Sequence, residues 1–139
     1  MYLITITCNM DKSQILGAFN DHFTEFVEDI QRVFPNNSDI ATLHSAISKV
    51  RKVNPKLIIK AFNEHVIGTY IQQIEKGDIH FFIDNDYEKD LVNVGSSNMI
   101  LEKIDCLRKP VRDMESDDQA KVMKYIQNLS KLCTMYNNL

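Results

Sequence analysis

Apolar residues recur along most of the chain at steps of three and four, the spacing of helices that each lay a face on a shared core. The most fully marked stretch is NPKLIIKAFNEHVIGTYIQQIEKG, residues 54–77. Pro55 stands where a first helical turn tolerates a missing amide hydrogen, and Gly77 stands where a helix can end on a left-handed residue. Between them run Leu57, Ile58, Ile59, Phe62, Val66, Ile67, Tyr70, Ile71 and Ile74. Lys56, Lys60, Asn63, Glu64, Gln72, Gln73 and Lys76 leave a narrower polar ribbon. An apolar stripe this wide exceeds what a single-faced surface helix needs, so the stretch predicts a central helix with partners on two sides.

The segments around it follow the same logic. Asp11 or Ser13 caps a helix running to about Phe34, with Ile15, Leu16, Phe19, Phe23, Phe26, Val27, Ile30, Val33 and Phe34 on its inner side. Asp21, Glu25, Glu28 and Asp29 occupy the opposite face, and Glu28 is spaced to pair with Arg32 one turn on. Pro35 to Ser38 ends this helix and caps a second, which uses Ile40, Leu43, Ile47 and Val50 and stops near Val53, because Asn54 precedes proline. Beyond Gly77, Asp78 can cap a short helix through DIHFFI. Residues 84–97 read as the longest irregular connection. Ser97 can open a helix using Ile100, Leu101, Ile104 and Leu107, which Pro110 kinks or ends. Ser116, Asp117, Asp118 and Gln119 form a capping-box pattern before Val122, Met123, Tyr125, Ile126, Leu129, Leu132, Cys133 and Tyr136.

Residues 2–8, YLITITC, are rich in β-branched side chains and read as a short strand or extended arm. With no partner strand elsewhere, Tyr2, Leu3, Ile4 and Ile6 are candidates for an interface with another chain. The expected architecture is all-α: a compact bundle of about five helices around the central one, residues 11–139 as a single domain, preceded by an extended arm at residues 1–10.

Composition narrows the class without naming a chemistry. With 44% hydrophobic and 25% charged residues among 139, the chain is globular and long enough to bury about two-thirds of its unfolded surface. Its net charge of -3 gives no overall attraction to nucleic acid or anionic membrane, yet the charge is segregated. Lys49, Arg51, Lys52, Lys56 and Lys60 form an acid-free basic run at the corner joining two helices, followed later by the acidic Asp84, Asp86, Glu88 and Asp90. Cys8, Cys106 and Cys133 are widely spaced and without a CxxC pair, which favours a reducing compartment over a disulfide framework or a zinc site. No apolar run reaches the roughly 18 residues of a membrane span, and the first residues lack a basic and apolar leader, so secretion is not expected.

Candidate chemistry is sparse. The alternating acids from Asp84 imitate a calcium loop, but Lys89 replaces the turn glycine and Gly95 falls where a bidentate Glu is required, so a solvated acidic loop is the better reading. His22, His44, His65 and His80 form no ligand spacing. Glu64 and His65 fall on different helix faces, and His22 with Glu25 reads as an exposed polar pair. No catalytic residue, metal ligand or cofactor is assigned. The basic corner, with Arg108, Lys109 and Arg112 as possible helpers, is a candidate for nucleic acid or an acidic partner.

Several segments carry a resemblance: NPKLIIKAFNEHV at residues 54–66, IEKGDIHFFIDNDY at 74–87, LRKPVRDM at 107–114 and KYIQNLSKL at 124–132. From about Phe19 to the C-terminus the chain resembles small helical proteins of large DNA viruses of algae and protists, of the phycodnavirus and mimivirus kind. The resemblance implies a viral origin and an intracellular place in the infected host or its virus factory, and brings no site residue with it. The expected function is a non-enzymatic protein-protein interaction component, such as a minor capsid or accessory virion protein that binds viral partners or itself. The alternative is a nucleic-acid-associated factor using the basic corner.

Overall fold

The computed structural model describes residues 11–83 and 106–139. The arm with Tyr2, Leu3, Ile4 and Ile6, the acidic loop, and the helix expected from Ser97 lie outside the described residues. Those described form an all-α bundle with no strand among them. In chain order the elements are α1 (Lys12–Val33), α2 (Ser38–Val53), α3 (Leu57–Phe62), a π-helical turn (Asn63–Ile67), α4 (Gly68–Lys76), α5 (His80–Ile83), α6 (Arg108–Arg112) and α7 (Ser116–Asn137).

Helix α1 begins on a reciprocal cap. The Gln14 amide donates to Asp11 at 2.8 Å while the Asp11 amide donates to the Gln14 side chain at 3.0 Å, so two otherwise orphaned donors are satisfied. Its buried face then takes Ile15, Leu16, Phe19, Asn20, Phe23, Phe26, Val27 and Ile30. This face is too broad for one neighbour, and α1 packs against α7, α2 and α3, with α7 the most extensive contact. Aromatic rings run through the seam. Phe19 meets Phe62 edge-on at 5.5 Å and Phe23 at 6.2 Å, and Phe26 lies 5.4 Å from Tyr125. Such pairs add about 0.5–1.5 kcal/mol each beyond area burial.

Helix α2 starts on Asn37, whose side-chain oxygen accepts from the Asp39 and Ile40 amides at 2.9 and 3.2 Å. It buries Ile40, Leu43 and Ile47. Pro55 proves to lie before the next helix instead of in its first turn. It occupies the second place of a reverse turn in which the Leu57 amide donates to the Asn54 carbonyl at 3.1 Å, a position where its fixed φ is favourable. Buried Asn20 of α1 clamps this corner from below, its Nδ2 donating to the Pro55 carbonyl at 3.0 Å.

The central element is not one uniform helix. After α3 the backbone widens into the π turn, where the Gly68 amide reaches back five residues to the Asn63 carbonyl, and Tyr70 inside α4 leaves helical geometry at φ -122°, ψ 15°. The reason lies in the spacing of what must be buried. Ile58, Phe62, Val66 and Ile74 all lie within the core at multiples of four residues. At 3.6 residues per turn each step of four overshoots by about 40°, so a regular helix would rotate the later residues off the core face. The wider turn returns them to it. The cost falls on α4, where Ile74 alone is fully buried.

Gly77 ends α4 as expected. At φ 74° its amide donates to the Ile74 carbonyl at 3.1 Å, and the Asp78 amide donates to Gln73 at 2.9 Å, the two bonds of a Schellman closure. Asp78 then caps α5 through the His80 amide at 3.0 Å. Pro110 does not terminate a helix. It lies buried within α6, in the first turn, where no amide hydrogen is needed. Nor does Ser116 cap α7: Glu115 holds that position without a side-chain bond, and Gln119 instead donates to the Val111 carbonyl at 3.0 Å, tying α7 to α6. No helix among the described residues is long and apolar enough to cross a membrane.

Gly77→Ala tests the closure. An added Cβ meets Gln127 Nε2 at 3.5 Å, so space is adequate and the penalty is the left-handed backbone itself. Urea unfolding should show a loss of about 1–2 kcal/mol with an unchanged m-value.

Candidate functional site

Two surfaces stand out, and both originate in the central rod. The first is the corner between α2 and α3. Lys49, Lys52, Lys56 and Lys60 are all exposed there, together with Val53, 86% exposed at the apex. None of the four lysines makes an ion pair among the described residues. Arg51 differs from its neighbours in the run. Its guanidinium turns inward, donating to Asp21 at 2.6 Å and to the Thr24 hydroxyl at 3.1 Å, so it fastens α2 to α1.

That fastening belongs to a seam the sequence reading missed. Glu28 pairs with His44 at 3.1 Å, and Arg32 turns to Asp29, so the expected Glu28 to Arg32 pair is not made. Asp21 and Glu28 are seven residues apart on α1, as are His44 and Arg51 on α2, which places both cross-links on one antiparallel edge. A repeat of seven equals nearly two turns, and this is the signal that could have revealed them.

The second surface is a groove of about 560 Å³ between α4 and α7. Ile71, Ile74 and Glu75 form one wall; Gln127, Ser130, Lys131, Thr134 and Met135 form the other. Gln127 bridges the two, its Nε2 donating to the Ile74 carbonyl at 2.9 Å. Its base is therefore anchored, and the partly buried Ile71 and Met135 offer apolar surface between the exposed Glu75 and Lys131. Just above it, Asn63 of the π turn accepts from Asn137 Nδ2 at 2.7 Å and from the Cys133 thiol at 3.8 Å. Burial pushes that thiol up to about 11, against a smaller opposing effect of its Asn137 contact, so Cys133 stays protonated at neutral pH.

The titratable groups between α1 and α7 form a third cluster. His22 lies half-buried with its ring 4.8 Å from that of Tyr125 and its Nδ1 3.8 Å from Glu25, so it is not the exposed pair expected. His22 Nε2 is sealed from solvent and has no hydrogen-bond partner among the described residues. Burial lowers the His22 pKa from its usual 6.5, outweighing the raising influence of Glu25. Tyr125 donates to Asp29 Oδ2, and burial, then Glu25, raises its pKa. Beside them a hollow of about 250 Å³ is lined by Asp29, Arg32, Asp118, Lys121 and Tyr125 among others. Glu64 and His65 approach to 3.7 Å across the π turn, instead of facing apart.

Arg112 donates to the Ile83 carbonyl at 3.1 Å through Nε, linking α6 to α5, and Arg108 and Lys109 line a separate hollow with Asn37 and Asp39. These three are therefore not assigned to the basic corner. Among the described residues, no three His, Cys, Asp or Glu side chains converge as a metal site. Comparison of the chain with protein-family models, curated proteins and solved structures yields no match.

The His22 pocket predicts an acid response. Because the folded-state pKa is below the unfolded 6.5, the stabilisation is present above pH 6.5 and is lost as pH falls through the lower folded value. Urea midpoints measured from pH 7.5 to 5 should decline more for the parent protein than for His22→Gln. Parallel declines would show that His22 does not sense the change.

Proposed function

We propose that the protein is a non-enzymatic protein-protein interaction component, using the groove between α4 and α7 to receive a helix of another polypeptide. The groove is the observation that supports this reading: about 560 Å³ of open space, with Ile71 and Met135 between polar Ser130 and Thr134. An amphipathic helix supplies the complementary surface, apolar side chains spaced one turn apart with polar flanks. The charged lips, Glu75 and Lys131, favour flanking residues of opposite sign on the incoming helix and so fix its direction. The resemblance carried by residues 54–66 and 124–132 supports placing this activity in a large DNA virus, as an accessory or minor capsid component meeting viral proteins or a second copy of itself.

Lys131 on the groove lip is a built-in cross-linking handle. Mass spectrometry of purified virus particles should detect the polypeptide, and amine-reactive cross-linking should join Lys131 to a lysine of a neighbouring chain. Absence from the particles would remove the virion assignment. Separately, Ile71→Glu should abolish the Lys131 cross-link while leaving the thermal midpoint within a few degrees, because Ile71 is only partly buried. A cross-link that survives this substitution would overturn the groove as the docking surface.

A further inference from the structure

We infer that the α2 to α3 corner is a nucleic-acid backbone contact, in which Lys49, Lys52, Lys56 and Lys60 meet successive phosphates without reading bases. This inference is independent of the groove. Its starting point is that contacts among the described residues do not account for all four charges where they lie. Lys49 and Lys52 are three residues apart and Lys56 and Lys60 four apart, like-charge spacings that weaken a helix by a few tenths of a kcal/mol each. The helix dipole accounts for Lys49 and Lys52 near the end of α2, where cations are favoured. It does not account for Lys56 at the entry to α3, where the dipole opposes a cation. All four side chains are exposed and lack ion pairs among the described residues, on a protein whose overall charge is negative.

The corner is also held in one shape. Asn20 clamps the Pro55 carbonyl, the Asn54 amide donates to Val50 at 2.7 Å, and Arg51 is tied to Asp21 and Thr24. The cations thus project from a rigid turn, and little ordering of the backbone is needed when a polyanion arrives. A lysine is a point charge with rotatable donors, suited to phosphate oxygens without the bidentate geometry by which arginine reads guanine. The one arginine in the run is occupied structurally, so the contact is sequence-independent. An anionic membrane fits less well. A membrane-binding helix needs an apolar face to bury, and Val53 is the exposed large apolar residue found at this corner.

Fluorescence anisotropy with a labelled mixed-sequence 20-base-pair duplex and the matching single strand tests the inference. Four phosphate contacts imply a slope of log K against log salt of about -3.6 for duplex and about -2.8 for single strand, so duplex affinity should fall roughly 150-fold from 50 to 200 mM salt. The variant Lys49→Ala, Lys52→Ala, Lys56→Ala, Lys60→Ala should lose binding and retain its circular dichroism. A control carrying Lys121→Ala and Lys124→Ala should bind as the parent does. Arg51→Ala should lose stability yet keep at least half the parent affinity. No binding at 50 mM salt, a slope near zero, or binding retained by the fourfold corner variant would overturn the inference. So would equal or tighter binding to polyglutamate or to phosphatidylserine vesicles, which would assign the corner to an acidic protein or a membrane surface.

Discussion

The bundle depends on covering the aromatic side of α1. Phe19, Phe23 and Phe26 each lie at most 4% exposed, and burying one such ring is worth about 1.5–3 kcal/mol. Because α1 buries residues over more than one face, α7 alone cannot sheathe it. Phe62 of α3 closes the Phe19 end, while Tyr125 of α7 closes the Phe26 end. The rest of the architecture answers this demand. Helix α2 must fold back along α1, the Asn54 to Lys56 turn must be tight, and the rod must enter with Ile58, Ile59 and Phe62 already aimed inward. At the outer edge, Lys12 stands 4.6 Å over the Tyr136 ring and completes the antiparallel run of α1 along α7.

What could be read from the residues alone was whatever local spacing determines. Apolar periodicity in α1, α2 and α7 named their buried faces, and Asp11, Gly77 and Asp78 act through neighbours within a few positions, so their caps were legible. The failures were of another kind. The Ser116 pattern is a sound local cap, but Gln119 has better partners in the carbonyls of Val111 and Arg112, which no local rule could supply. Pro110 reads as a breaker until it is known where α6 begins. For the rod, end signals were correct but uniform winding was assumed. Steps of four at Ile58, Phe62 and Val66 carried the warning, since a regular helix needs steps of three among them to hold one face.

The candidate surfaces were legible in unequal measure. The basic run was visible because charge needs no fold to be counted, although its members looked equivalent. Arg51 separates from the lysines only when α1 is laid antiparallel beside α2 and Asp21 and Thr24 come within reach. The groove was invisible for the opposite reason. Gln127, Ser130, Lys131 and Thr134 lie outside the apolar stripe of α7, and Ile71 lies within that of the central stretch. Only their juxtaposition across the redirected central element makes a groove of them.

The break in the rod links these surfaces. Before it, Ile58, Ile59, Ala61 and Phe62 of α3 are buried, while Lys56 and Lys60 are exposed. After it, α4 anchors through Ile74, whose carbonyl is claimed both by Gly77 and by Gln127. The π turn lets Val66 keep its place in the core while the backbone beyond it is released, and the kink at Tyr70 separates Ile71 from the packed side. An irregularity forced by burial upstream thereby becomes the cause of an open groove downstream. The same departure from ideal winding that keeps Val66 in the core leaves Ile71 only partly buried, on the wall of the groove between α4 and α7.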